Sequence, residues 1–328
     1  MTRPRVGFLG VGWIGRNRME AMLATGAVDA VAIADPSAET AAEAAGLAPG
    51  AVRVASLDEM LDFGVDGVVI ATPSALHAHQ AIQALERGAA VFCQKPLGRS
   101  AAETGAVVEA ARAADRLLAV DLSYRFTQGM FAIRDLVRTG ALGRVFAVDL
   151  VFHNAYGPDK PWFYDRALSG GGCVMDLGVH LVDLALWALD FPEVTGVSSR
   201  LFAGGAPLDR ASAAVEDYAV ASLDLAPGVA VRLACSWRLP AGQNAVISVE
   251  LYGTAGGASM RNLHGGFAEF AAARHEGTAT VPLGGPDAAW SGGAAADWAM
   301  RLAAGERFDR ASEQLTRTAA VLDRIYAG

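Results

Sequence analysis

The chain has 328 residues, 52% of them hydrophobic, and a formal net charge of -8. That length suggests two domains, because single hydrophobic cores stop growing near ~250–300 residues. Mild acidity without a Lys/Arg-rich block argues against a nucleic-acid surface, and charge or glycine interrupts the apolar runs before the ~20 residues a membrane span needs.

The first residues, Met1-Thr2-Arg3-Pro4, run straight into a strand-like segment without an apolar signal region, which predicts a cytoplasmic protein. Strands are expected at 5–10, 28–35, 52–55, 67–71, 90–93 and 117–121, alternating with helices at 13–25, 37–46, 57–63, 74–87 and 101–114. Short apolar strands alternating with helices imply βαβ units and a parallel sheet, hence a Rossmann-type dinucleotide-binding domain over 1–121. After Leu122 the pattern changes. A helix at 130–138 precedes a strand at 145–152, with Phe146, Val148, Leu150 and Phe152 on one face. A glycine-rich loop leads into an apolar helix at 176–189. Alternating strands follow at 194–202, 217–225, 229–237 and 245–252, then a loop at 277–293 and helices at 294–304 and 312–326. The fold class is therefore α/β, with a C-terminal α+β domain over 122–328 built on a large, mostly antiparallel open sheet.

Gly10, Gly12, Trp13, Ile14 and Gly15 lie in a G-x-G-x-x-G turn directly after the first strand and at the head of a helix. Asp35 ends the second strand, twenty positions after Gly15. In that context the turn binds a dinucleotide: Gly10 permits a tight turn, Gly12 lets backbone approach the pyrophosphate, and Gly15 allows close helix–strand packing. The helix N-terminus offers unpaired N–H groups to the phosphates. The Asp35 carboxylate suits two ribose hydroxyls and would repel a 2′-phosphate, and Pro36 and Ser37 offer no arginine. NAD is expected over NADP.

Only two of the 27 basic residues are lysines, Lys95 and Lys160. Either base composition explains this, or lysine is kept where a guanidinium cannot substitute. Lys95, in Gln94-Lys95-Pro96, directly follows the strand at 90–93, and ligands of open parallel sheets sit beyond the carboxyl ends of strands. Further along, Gly170-Gly171-Gly172 precedes Asp176 and His180, four apart on a predicted helix, with Asp183 and Trp187 continuing the stripe. A buried Asp–His pair suits acid–base work; the alternative is an N-cap and a satisfied core histidine. The segment 153–165 carries His153, Asn154, Tyr156, Asp159, Lys160, Trp162, Tyr164 and Asp165, a mixture suited to lining a sugar pocket. Cys93, Cys173 and Cys235 lack metal-ligand spacing, so they are expected to be reduced and no metal site is expected.

These motifs together resemble the glucose–fructose oxidoreductase/inositol dehydrogenase/rhizopine-catabolism (Gfo/Idh/MocA) family. The markers are Gly10–Gly15, Ala71-Thr72-Pro73 with His77, Gln94-Lys95-Pro96, and Gly170–Gly172 through Asp176 and His180, with Tyr124-Arg125-Phe126 and the terminal Ile325-Tyr326 also fitting. The resemblance implies NAD(P)-dependent hydride transfer at a secondary hydroxyl or ketone of a sugar or cyclitol. Lys95 would orient the reacting oxygen, His180 would exchange its proton, and Asp176 would partner His180. Ala71, Thr72, Pro73, His77 and Gln94 would line the cofactor cleft. Tyr124, Arg125, Tyr156 and Trp162 are expected at the substrate, and the C-terminal sheet is expected to form a homodimer or homotetramer. The family most often has Glu where Gln94 stands, so the lysine is expected to be less stabilised here. Alternatives are a glycosidase-type enzyme working by transient oxidation and elimination, a bound-cofactor enzyme shuttling hydride between two sugars, and a non-catalytic NAD-binding regulator.

Overall fold

A computed structural model of the chain describes residues 2–209, 212–284 and 292–328. Two compact units emerge, Met1–Ser123 with Ser291–Arg317, and Tyr124–Trp290 with Thr318–Gly328.

The N-terminal unit holds six parallel strands, β1 (Arg5–Leu9), β2 (Asp29–Ala34), β3 (Val52–Arg53), β4 (Gly67–Ile70), β5 (Ala90–Cys93) and β6 (Leu118–Val120), in the order β3-β2-β1-β4-β5-β6. The helices between them are α1 (Trp13–Ala24), α2 (Ala38–Ala45), α3 (Leu57–Asp62), α4 (Ser74–Glu86) and α5 (Ala101–Ala114). β4 and β5 are buried at every residue, which is why they read as unbroken apolar runs. Ser37, Ser56 and Ser100 cap α2, α3 and α5 by accepting a hydrogen bond from the backbone N–H three residues on.

The C-terminal unit opens with α6 (Gln128–Arg138) and β7 (Val145–Asn154). A short helix α7 (Arg166–Ser169), a π-helical turn (Val174–Gly178) and α8 (Val179–Ala188) follow. The remaining strands are β8 (Val194–Ala203), β9 (Ala206–Pro207), β10 (Tyr218–Leu225), β11 (Val229–Ser236), β12 (Ala245–Gly253), β13 (Gly257–Asn262), β14 (Phe270–Glu276) and β15 (Ala279–Pro282). They form one nine-stranded sheet, β15-β14-β13-β12-β7-β11-β10-β8-β9, in which the β7–β11 pair is parallel and the others antiparallel. α8 is buried at every residue and packs on β7 and β11, covering one face of the sheet.

Several expectations need correction. β13 and β14 lie where the sequence pattern predicts no strand, and β15 occupies part of the segment expected to be loop; residues 285–291 of that segment lie outside the described residues. Phe146 does not share the core face with Val148, Leu150 and Phe152. A register shift pairs Ala147 with Tyr252 and Val145 with Gly253, so Phe146 falls on a bulge, 44% exposed, and Val145 enters the core instead. The helical run 166–188 is long and apolar enough to cross a membrane by length and composition, although Gly170–Gly172, Asp176, Gly178 and Asp183 interrupt it, and 94% of its apolar window is buried within the structure.

The boundary expected at 121/122 also misses a return of the chain. Helix α9 (Gly293–Ala303) belongs to the N-terminal unit, and the division then falls within α10 (Glu313–Ala327). The cause is Trp298, fully buried, with its ring 5.9 Å from that of Phe92 on β5. Gly67 on β4 makes room for it, since a Cβ there would stand 2.7 Å from Trp298 Cη2. Removing this side chain leaves a cavity that the sheet cannot collapse to fill. Trp298→Ala should cost about 3–5 kcal/mol and Trp298→Phe less than about 2 kcal/mol, measured by denaturant unfolding. Equal stability of Trp298→Ala and the parent would remove α9 from the core of this unit.

Candidate active site

In the N-terminal unit the glycine turn follows β1. Gly10 has φ +80°, and a Cβ on it would lie 2.6 Å from the Ala71 carbonyl oxygen, so only glycine fits. A Cβ on Gly15 would collide with the Gly10 carbonyl, which fixes how closely α1 packs on the turn. Among the described residues nothing beyond its chain neighbours lies within 4 Å of a Cβ on Gly12, so their packing places no demand for glycine there. No side chain caps α1 and its first turn carries no acid; Trp13, 72% exposed, and Ile14 open it. Those first-turn N–H groups suit an anion such as a pyrophosphate.

Asp35 accepts from Val11 N at 2.9 Å with Oδ2 and from Ser37 N at 2.9 Å with Oδ1. It thus ties the end of β2 to the glycine turn. An ionised carboxylate has about four acceptor sites, which leaves capacity for two ribose hydroxyls.

Ala71, Thr72 and Pro73 link β4 to α4. Ala71 N donates to Leu9 O, Thr72 Oγ1 bonds Gln80 at 2.6 Å, and Pro73 stands at the N-cap of α4. His77 does not face a cleft. It is 1% exposed, with Nδ1 2.7 Å from Pro96 O and Nε2 2.7 Å from Thr72 O. Its ring therefore clamps the turn after β5 to the turn after β4, and burial pushes its pKa down while the two carbonyls oppose that.

Gln94 is also turned inward. Its Nε2 donates to Asp121 Oδ2 at 2.6 Å, and Arg18 Nε donates to the same oxygen at 2.5 Å. All three side chains are buried. The negative charge expected to be missing at position 94 thus stands on Asp121 at the end of β6. Burial and that charge together push the Cys93 thiol well up. Lys95 follows Gln94 at the carboxyl end of β5.

In the C-terminal unit the glycine loop is built around Glu216, which is 1% exposed. Its Oε1 accepts from Gly172 N at 3.0 Å, Val174 N at 2.9 Å and Tyr326 Oη at 2.7 Å, while its backbone carbonyl accepts from Cys173 N at 3.0 Å. A Cβ on Gly172 would overlap the Glu216 backbone.

The π-helical turn follows. Asp176 lies inside it rather than on a regular α-helix, which starts only at Val179. The four-residue spacing to His180 therefore does not have the α-helical geometry that the sequence suggested; π turns carry an extra residue per turn and often occur at functional sites. Asp176 Oδ2 accepts from Trp237 Nε1 at 3.0 Å. His180, 6% exposed, sets its ring edge-on to Tyr124, centroids 4.8 Å apart.

The expected substrate residues divide. Arg125 forms a two-point ion pair with the buried Asp183, Nε to Oδ2 being 2.6 Å and Nη2 reaching Oδ1, and its guanidinium lies 5.5 Å from the Phe191 ring. This is structural pairing, and it accounts for Asp183 as well. Burial pushes the Asp183 carboxyl up, and Arg125 opposes the shift. Tyr124, 3% exposed, packs among Phe152, His180 and Phe270. Tyr156 is 50% exposed, and Trp162 stacks on Phe163 at 3.8 Å. Phe163 and Tyr164 both meet the ring of Trp237, the residue holding Asp176. No group of three potential metal ligands occurs among the described residues.

Glu216, Trp237, Asp121 and Arg18 escaped the sequence reading. Each acts through a partner 27 to 103 positions away, which no local pattern reveals.

A Rossmann-type unit with an uncapped glycine turn, joined to a mixed-sheet unit that carries a half-buried acid, Asp176, and a buried histidine, His180, on one helical run, defines a dinucleotide-binding oxidoreductase. Residues 4–122 match the oxidoreductase family with NAD-binding Rossmann fold, and residues 130–259 match the GFO/IDH/MocA C-terminal domain. The rhizopine catabolism protein MocA of Rhizobium meliloti is 30% identical over 266 residues, 80% of this chain and 79% of that one. Inositol 2-dehydrogenase 3 of Saccharopolyspora erythraea is 32% identical over 189 residues, 57% of this chain and 54% of its own. The fold matches levoglucosan dehydrogenase in complex with NADH with a TM-score of 0.84 at 22% identity, over 99% of this chain and 96% of that one. The chain belongs to the GFO/IDH/MocA family of NAD-binding oxidoreductases.

Glu216 sets a pH dependence. Burial pushes its carboxyl above the ordinary 4.5, against the bonds from Val174, Tyr326 and Gly172. Below pH 4.5 the group is protonated folded and unfolded and contributes nothing. As pH rises, the unfolded chain releases the proton first, so the group costs stability at neutral pH. The stability of the parent relative to Glu216→Gln should therefore fall as pH rises from 4.5 towards 7, followed by thermal unfolding. A flat difference would assign the titration elsewhere.

Proposed function

We propose that this protein interconverts a secondary hydroxyl and a ketone on a sugar, sugar derivative or cyclitol, with Lys95, His180 and Asp176 as the catalytic residues. The observation that supports this reading is one largely buried helical segment that carries both the half-buried Asp176, which accepts from Trp237 Nε1, and the buried His180. Ionisable groups in apolar surroundings cost stability, and such groups cluster where proton transfer is needed. Relatives named for inositol and levoglucosan support the substrate class.

In the oxidative direction His180 accepts the proton of the substrate hydroxyl, and Asp176 stabilises the imidazolium that results. Lys95 donates a hydrogen bond to the same oxygen and stabilises negative charge as it develops. NAD, when bound, supplies the hydride acceptor; the glycine turn, the α1 N-terminus and Asp35 would hold it. Tyr156 and Trp162 supply aromatic faces for a sugar ring. We further assign the protein to the cytoplasm and its exposed sheet face to homodimer or homotetramer formation.

Turnover of a panel of sugars, cyclitols and keto-sugars, followed by absorbance of reduced nicotinamide, identifies the substrate. On the best substrate Lys95→Ala and His180→Ala should each lower kcat by roughly a hundredfold or more, with NAD affinity retained. Near-parental turnover in either variant ends the assignment.

Asp35 governs cofactor choice. Asp35→Ala should lower the NAD/NADP ratio of kcat/KM by about tenfold or more, because a charged hydrogen bond is lost and a like-charge clash relieved. An unchanged ratio would leave Asp35 only its bond to the glycine turn.

A further inference from the structure

Gln94, Asp121 and Arg18 form a sealed network, respectively 7%, 2% and 2% exposed. Two donors converge on Asp121 Oδ2, the Gln94 amide at 2.6 Å and the Arg18 guanidinium at 2.5 Å. Asp121 Oδ1, also buried, accepts no hydrogen bond from a described residue. The backbone binds the same strand ends together, Asp121 N to Cys93 O at 2.9 Å and Gln94 N to Ile70 O at 2.8 Å. The carboxylate fixes which way the Gln94 amide points, because the flipped amide would set oxygen against oxygen. Lys95 is the next residue. On its other side the Pro96 carbonyl is held by His77 Nδ1 at 2.7 Å. The turn carrying the ammonium is therefore gripped on both flanks.

We propose that Asp121, neutralised by Arg18, is a positioning residue for Lys95: acting through the Gln94 amide it holds the lysine turn, and it takes the place of a carboxylate at position 94. This rests on the catalytic reading of Lys95 and deepens it. The network balances one carboxylate against one guanidinium. Gln94→Glu puts a second carboxylate across a 2.6 Å contact. Asp121→Asn takes the carboxylate away from the buried Arg18 Nε. In the double variant the charge moves across one hydrogen bond. Both donors share Oδ2 in the parent, so the amide introduced at position 121 would donate through Nδ2 to the carboxylate introduced at position 94 once Arg18 shifts to the oxygen at the open Oδ1 place, and the charge balance returns.

The test compares the parent, Gln94→Glu, Asp121→Asn and the double variant. It reads thermal stability, kcat, KM for NAD, and the NMR spectrum of protein labelled with [ε-13C]lysine. The chain has two lysines, so the spectrum holds two signals, and Lys160→Arg assigns them. Each single variant should lower Tm by roughly 5 °C or more. Each should lower kcat roughly tenfold or more, with KM for NAD changed less than about threefold. Each should move the Lys95 signal and leave that of Lys160 in place, and the double variant should restore all of these towards the parent. Asp121→Asn with parental kcat and an unmoved Lys95 signal overturns the proposal, as does a double variant no better than the worse single one. If the single variants do not fold, a folded double variant with a parental Lys95 signal supports it and an unfolded one overturns it. Should the parent turn over no sugar or cyclitol, the functional reading fails, while the Lys95 signal and Tm still decide this proposal.

Discussion

Three donors on a single buried oxygen, Glu216 Oε1, hold the loop from which the helical run of Asp176 and His180 departs. A carboxylate taken out of water costs several kcal/mol unless its lone pairs are satisfied. The chain satisfies them with two backbone N–H groups and one phenol. That requirement explains the glycines: the Gly172 backbone must come so close to Glu216 that no Cβ fits. It also explains Tyr326, two residues from the terminus yet fully committed, its own ionisation pushed well up by burial and by the Glu216 charge. The π turn begins where the clamp ends, and Trp237 then fixes Asp176.

The N-terminal unit follows the same logic with a different carboxylate. Asp121 holds Gln94 and Arg18, and the His77 ring sits between the Pro96 and Thr72 carbonyls, at 2.7 Å from each. Arginine partners a buried aspartate in both units, at Arg18–Asp121 and Arg125–Asp183. A planar, permanently charged guanidinium sheds water more readily than an ammonium, and Arg125 meets its carboxylate at two points while Arg18 meets a single oxygen. Arg125, expected at the substrate from its place beside Tyr124, is paired with Asp183.

The parallel sheet was legible because each strand is short, apolar and followed by a helix, so local pattern and tertiary burial agree. The glycine turn was legible because backbone sterics act over six residues. β13, β14 and β15 were not: Gly257–Asn262 and Phe270–Glu276 carry no β-branched residue and gain their strand character from antiparallel partners, while β15 is only four residues long and ends in proline. The bulge at Phe146 was hidden for a related reason, since the register is set by β12, about a hundred residues on. Within the site, residue types and order were readable, but the buried partners that fix them were not. His77 and Gln94 illustrate the limit: both belong to motifs beside the cofactor turn, and both point into the protein.

Gln94 lends its amide to the carboxylate at the end of the neighbouring strand. A hydrogen bond between an amide and a carboxylate keeps its length and burial when the two groups exchange places. Only the strand that carries the charge differs. Reading position 94 alone, one counts a lost negative charge and expects a less stabilised lysine. Reading β5 and β6 together, one counts a carboxylate, a guanidinium and an amide, all buried and mutually bonded. Charge balance and hydrogen-bond geometry here are properties of the three side chains together, and neither belongs to a single residue.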